Sequence, residues 1–380
     1  MPLIQSQKRK SPKWKVGWRH EVNKKRSHKK PLHYLDTPLH VNRIEQATLE
    51  ALMEACCKNL EETRKAPAMM AKLLKKSQLD SWDLLAPSPL GDTGKQTSFN
   101  EAICLIREAF ADVDPQMADF VDLMVKNQWI EGRVLPNKTT GAYCTNFPKT
   151  KEPRVYVTYL GSDQDVSTLA HELGHGFHAW VMRDLPRAQI NYPMTLAETA
   201  SVFAETALRE ILLKKASTHE EKLDCAWSNL ESSSAFLINI PARFDFEKSF
   251  YDKRAERALN PQELSELMNK AWTKWYGPVL SKNDDLFWAH KLHFSIAGDQ
   301  SFYNFPYTFG YLFSLSLYAR RKELGSDFMK AYLGILRDTG RMTAEDLIQK
   351  HLDEDIRKPQ FWQKSIDLVL QKLNRIAALT

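Results

Sequence analysis

Glycine is scarce in this chain, 14 of 380 residues, and a turn-rich all-β fold is disfavoured on that count. Cysteine is also sparse. Cys56, Cys57, Cys104, Cys144 and Cys225 are odd in number and include no Cys-x-x-Cys pair. A chain this long with so few thiols does not read as a disulfide scaffold, and a reducing compartment fits best. No apolar run reaches membrane-spanning length, and no apolar stretch follows the basic residues at the start as a secretory signal would require. Cytoplasmic location is the expectation.

Negative charge is nearly missing from the first thirty residues. They hold eleven Lys and Arg against one acid, Glu21, so they carry +10 and the remainder −4, although the whole chain is +6. A run such as Lys24-Lys25-Arg26 could touch nucleic acid or an anionic membrane. Residues 1–33 are read instead as a disordered, solvated tail, with neither membrane nor nucleic acid as partner. Residues 34–380 are expected to form one domain.

What is present is helical pattern. Apolar residues recur at helical spacing from Asn42 to Lys65, with Pro67 expected to interrupt. Ala86-Pro87-Ser88-Pro89 is loop chemistry and marks a break. Ser98 with Glu101 reads as a capping box, and a helix is expected from Pro115 to Gln128. Asn260-Pro261-Gln262-Glu263 and Thr343-Ala344-Glu345-Asp346 are further helix starts, and Pro359 to Ala378 is amphipathic. Residues 141–147 and 154–159 are rich in β-branched and aromatic types and read as a hairpin. The fold class is mainly α, with this small β element just before the principal motif.

That motif is His171-Glu172-Leu173-Gly174-His175. On a helix, positions four apart share a face, so His171 and His175 can present two imidazoles to one zinc ion. Glu172 lies beside that face, close enough to take a proton from an activated water. Asp165 is expected to cap this helix. A catalytic zinc needs a third protein ligand, and an extended His-Glu-x-x-His-x-x-Gly-x-x-His pattern is closed here because His178 and Val181 stand at the required Gly and His positions. Glu198, in an otherwise apolar and small-residue stretch, is a candidate; its alternative is a local capping box with Thr195. Glu205, seven residues on, could orient a ligand histidine or be an ordinary surface acid. His178 reads as a packing or supporting histidine rather than a ligand.

Asp165-Val-Ser-Thr-Leu-Ala-His171-Glu-Leu-Gly-His175-Gly-Phe-His178 resembles the oligoendopeptidase F branch of the thimet oligopeptidase family of zinc metallopeptidases. So do Gly141-Ala-Tyr-Cys144 before it and Ser301-Phe-Tyr303-Asn-Phe-Pro-Tyr307-Thr-Phe-Gly310-Tyr311-Leu-Phe after it. The resemblance implies a zincin-like helical catalytic domain binding one Zn2+ ion and cleaving short peptides. It matches His171, His175 and Glu198 to the metal ligands and Glu172 to the general base. It also matches His293, Tyr303 and Tyr307, with Tyr311 as a further candidate, to groups that bind substrate and steady the transition state. The alternative for these aromatics is a core stripe. Strand addition of extended substrate to residues 141–147 is a further expectation.

Family members usually begin with a long additional helical region, and here the short basic stretch stands in its place. The chain is accordingly expected to be a truncated reading of a longer enzyme or a compact relative. Three alternative functions follow: a zinc carboxypeptidase or dipeptidase, a peptide-binding relative with weak or no activity, and a nucleic-acid binder acting through residues 1–30. Specificity and oligomeric state are not legible.

Overall fold

The computed structural model describes residues 12–89, 96–295 and 301–380. Its strands and principal helices, the short helices Asp36–Asn42, Leu60–Thr63, Lys65–Leu73 and Phe287–His290 aside, run α1 (Pro12–Arg26), α2 (Gln46–Lys58), β1 (Leu79–Asp80), α3 (Phe99–Val113), α4 (Pro115–Lys126), β2 (Ile130–Glu131), β3 (Ala142–Phe147), β4 (Glu152–Val157), α5 (Asp163–Met182) and α6 (Met194–Lys215). They continue as α7 (His219–Ser234), α8 (Ile240–Glu256), α9 (Pro261–Tyr276), β5 (Leu280–Lys282), α10 (Phe305–Leu324), α11 (Phe328–Asp338), α12 (Ala344–Leu352) and α13 (Pro359–Ala377). The mainly α reading therefore holds. Several helix starts are the ones that local chemistry dictates. Ser98 with Glu101 and Asn260 with Glu263 both close reciprocal capping boxes, and Thr343 accepts from the Asp346 N–H.

Contacts divide the chain into two compact units, one of Met1–Ala86 with Leu230–Thr308 and one of Pro87–Asn229 with Phe309–Thr380. The expectation of one body over residues 34–380 differs from this division. The first boundary falls within the Pro-rich stretch read as a break.

In the first unit, α1 packs on α8. Val16 and Lys15 are buried, His20 Nε2 lies 3.0 Å from the Tyr251 carbonyl, and Lys15 Nζ stands 3.9 Å from Glu247 Oε1. The solvated tail expected over residues 1–33 thus differs from what residues 12–26 form. Composition marks them as solvated, but a buried ammonium is tolerated where a carboxylate and a carbonyl, that of His293, receive it. Lys24, Lys25 and Arg26 stay exposed at the negative end of the helix dipole. Residues 1–11 lie outside the described residues. β1 and β5 pair in parallel, and α8 packs on α9.

In the second unit, α5 and α6 pack side by side, and α3 with α4 forms a helical hairpin. A three-stranded sheet has the order β2-β4-β3, with β4 parallel to β2 and antiparallel to β3. The expected hairpin is there, in register from Ala142 opposite Val157 to Phe147 opposite Glu152; the short parallel strand β2 was not expected. Val155 and Val157 of β4 are buried while Tyr156 between them is not, as a period of two requires. β3 is an edge strand and both it and β4 lie on α5. Among the described residues no helix is long and apolar enough to cross a membrane.

Candidate metal centre

α5 begins at Ser162, whose hydroxyl accepts from the Asp165 N–H while Asp165 returns the bond to the Ser162 N–H. The cap is therefore Ser162, and Asp165, expected in that place, is its partner three residues on. Two turns later His171 and His175 share one face, ring centroids 4.7 Å apart and nearly perpendicular. α5 lies very close to α6 at this level. A Cβ added to Gly174 would stand 2.5 Å from the Ala200 carbonyl oxygen and 2.7 Å from the Ser201 Cα. Only a residue without a side chain permits that approach, and the approach carries Glu198 to the histidines.

The capping-box alternative for Glu198 fails on geometry. α6 starts after Pro193, so Thr195 is already inside the first turn, and the Glu198 carboxylate instead accepts from Ser201 Oγ at 2.7 Å. Glu198 Oε2 is 3.4 Å from His171 Nε2 and 3.7 Å from His175 Nε2, and the two Nε2 atoms are 3.1 Å apart. Zinc bonds of about 2.0–2.1 Å at tetrahedral angles would set neighbouring ligand atoms roughly 3.3–3.5 Å apart. The observed triangle straddles that span, so two imidazoles and one carboxylate fit a single cation. Among the described residues this is the group of three or more His, Cys, Asp or Glu side chains close enough to hold one.

The electrostatics agree. Burial alone would depress the His171 pKa, but the hydrogen bond and charge of Glu205, with Glu198 and Glu172, outweigh it and hold the ring above its ordinary value. His175 goes the other way, lowered by burial and by the neighbouring His171 charge. Burial raises the Glu172 carboxyl to about 7, against the pull of His171 and with the push of Glu198. The Cys144 N–H of the edge strand donates to that carboxyl, yet Glu172 Oε2 is buried with no hydrogen-bond partner. An orphaned carboxylate oxygen is costly and points to a polar group that belongs beside it.

Glu205 is not a surface acid. Its Oε1 lies 2.6 Å from His171 Nδ1, and its Oε2 accepts from Arg209 at 2.5 Å. The ring is thereby turned so that Nε2 faces Glu198. His178 points away from the centre: its Nε2 lies 2.9 Å from Thr339 Oγ1 and 3.1 Å from the Leu336 carbonyl, and its ring stacks on Tyr192 at 4.2 Å. Three residues absent from the expectations also build the site: Ser201, Gly174 and Gly310. A Cβ on Gly310 of α10 would lie 2.7 Å from the Glu198 Cβ. A lone glycine inside a helical pattern costs about 1 kcal/mol relative to alanine, and that anomaly was the signal available in the sequence.

His293, Tyr303 and Tyr307 belong to the first unit and gather there. The two phenol oxygens are 2.9 Å apart, and His293 Nε2 accepts from Asn304 Nδ2 at 2.8 Å. Burial, then the charges of Arg243, Lys15 and Lys291, lower the His293 pKa to about 3 and keep the ring neutral. Within the aromatic run Phe302, Phe305, Phe309 and Tyr311 are buried, as a core stripe would be, whereas Tyr303 and Tyr307 keep partial exposure.

The chain is 23% identical over 342 residues to "Oligopeptidase PepF" of Bacillus subtilis, covering 89% of this chain and 50% of that protein. It is 24% identical to the chromosomal "Oligoendopeptidase F" of Lactococcus lactis subsp. cremoris, covering 89% and 56%. It thus spans about half the length of the curated relatives it matches. A solved chain from Chlamydophila abortus shares the fold with a TM-score of 0.83 at 23% identity, covering 97% of this chain and 61% of that one. The model of Peptidase family M3 matches residues 40–368, and the chain belongs to that family.

Proposed function

We propose that this chain is a zinc-dependent endopeptidase acting on short peptides. The observation that carries the reading is the convergence of two imidazoles from α5 and one carboxylate from α6 within metal-ligand distance, beside a buried glutamate with a free oxygen. His171, His175 and Glu198 would hold the ion. A bound zinc ion supplies positive charge that lowers the pKa of water towards about 7 and draws electron density from a peptide carbonyl. Glu172, whose carboxyl stands beside the ligand histidines on α5, would take the proton from attacking water and pass it to the leaving amine. Glu205 fixes the tautomer and direction of His171. His293, Tyr303 and Tyr307 bind substrate, a role resting on the family resemblance and supported by the partial exposure of the two phenols. All five cysteines are free thiols, which supports a cytoplasmic setting.

The test is cleavage of an end-blocked fluorogenic peptide by the native chain and by Glu172→Gln, each with and without chelator. End-blocking separates an endopeptidase from a carboxypeptidase or dipeptidase. The native chain is expected to cleave, chelator to stop it, and the variant to lose about 10²–10⁴-fold in kcat while still binding zinc. Equal cleavage by the two proteins would remove Glu172 from the chemistry.

A further inference from the structure

A groove of about 70 Å³, partly open to solvent, lies at the far end of β3 in the second unit. Phe147, Met182, Ile190 and Tyr192 give it an apolar floor. Three cations, Lys151, Arg183 and Arg187, stand on its rim, and no carboxylate lines it. All three are exposed, and none forms an ion pair with a carboxylate among the described residues. Arg183 is held in place: its guanidinium lies 3.8 Å over the Trp180 ring and donates to the Trp180 carbonyl at 2.6 Å. The acid next to it in sequence, Asp184, is occupied by Arg337 at 2.7 and 2.9 Å. Three cations thus line an apolar trough, and the acid nearest them in sequence, Asp184, feels the charge of Arg183 but makes its hydrogen-bonded pair with Arg337.

The groove and the candidate site share one edge strand, β3. Asn146 and Phe147 are the last residues of the edge strand, and Cys144 of that strand donates to Glu172. Strand residues rise about 3.4 Å each, so the groove lies roughly 7–10 Å along the strand from Glu172. A peptide running beside β3 would bring a residue two or three positions from the cleaved bond over the trough.

We propose that this groove is a specificity site that selects peptides carrying an acidic side chain two or three residues from the scissile bond. The proposal rests on the peptidase reading above. The apolar floor takes the aliphatic part of a glutamate, and Lys151, Arg183 and Arg187 take its carboxylate. The pairs are exposed, so the preference is electrostatic and weakens with salt.

End-blocked peptides identical except for Glu, Gln or Lys at each position up to three from the cleaved bond provide the test. They are compared on the native full chain and on the Lys151→Glu/Arg187→Glu double variant. At low salt the ratio of kcat/KM for the Glu peptide over the Lys peptide is expected to be roughly tenfold or more at one such position, and to fall below one in the double variant. Fluorescence anisotropy of the same labelled peptides on the zinc-loaded chain reads the groove whether or not the peptide is cut, so failure of hydrolysis and failure of this site are told apart. A charge order Glu, Gln, Lys that inverts in the double variant supports the proposal. Equal retention of the three peptides, or an order unaltered by the charge reversal, overturns it. Tighter retention of a short single-stranded DNA than of the Glu peptide would also overturn it, in favour of a nucleic-acid surface.

Discussion

Glu205 holds His171 with one oxygen and Arg209 with the other. In the metal-free chain this contact, against the effect of burial, keeps the His171 ring protonated above its ordinary pKa. A metal ligand must be unprotonated, so zinc has to displace that proton. The sign follows: below the raised pKa of His171, zinc affinity should fall about tenfold for each unit of pH lost. In Glu205→Gln the proton is held less tightly, so the fall should begin at lower pH. Above the raised pKa of His171, where no proton competes in either protein, the variant should bind zinc about 10–100-fold more weakly, because the ring loses its orienting partner. Competition titration against a chromophoric chelator between pH 6 and 9 measures both effects. Coincident profiles for the two proteins would show that Glu205 does not control the ring.

Elements meet here at distances that side chains would forbid. Gly174 lets α5 lie against the backbone of α6, and Gly310 lets α10 lie against Glu198. Gly174→Ala places a methyl group 2.5 Å from a carbonyl oxygen, so one helix must yield. A stability loss of about 1–3 kcal/mol is expected by denaturant titration. Zinc affinity should fall as well, since the same displacement moves Glu198 from the histidines. An alanine variant with native zinc affinity would mean that the helix pair has slack.

Legibility divides along the same line. Ser98, Asn260 and Thr343 announced their helices because a cap is satisfied within three residues of itself. His171, Glu172 and His175 were legible because one helix carries all three. Glu198 was only a candidate, since its alternative partner was local and its actual neighbours lie on another helix. Gly174 and Gly310 stand within the quoted motifs, but their role is not legible there, because clearance is a property of a neighbour absent from the local sequence. Lys15 sits in a stretch whose composition reads as solvated for a similar reason: its carboxylate, Glu247, lies far along the chain.

At the scale of the molecule, the three donor side chains and Glu172 all belong to one of the two units. Binding that occurs only in the folded state raises stability by mass action, about 4 kcal/mol when free zinc exceeds its dissociation constant a thousandfold. The zinc-loaded chain should accordingly melt several degrees above the chelated one. Hydrogen exchange should show the added protection concentrated in α5 and α6. Protection gained equally in α8 and α9, which carry none of the three donors, would argue that the cation is not held where the triangle of donors lies.

The donors come from two rods with a shared contact line, and this gives the site a discrete character. Sliding α6 by one turn along α5, about 5.4 Å, would bring Met194 or Thr195, or else Ser201 or Val202, to the triangle in place of Glu198. None of the four carries a carboxylate. A shift of one turn therefore supplies no third carboxylate, and a cation held by two imidazoles and a carboxylate reports that the two helices have locked in a single phase.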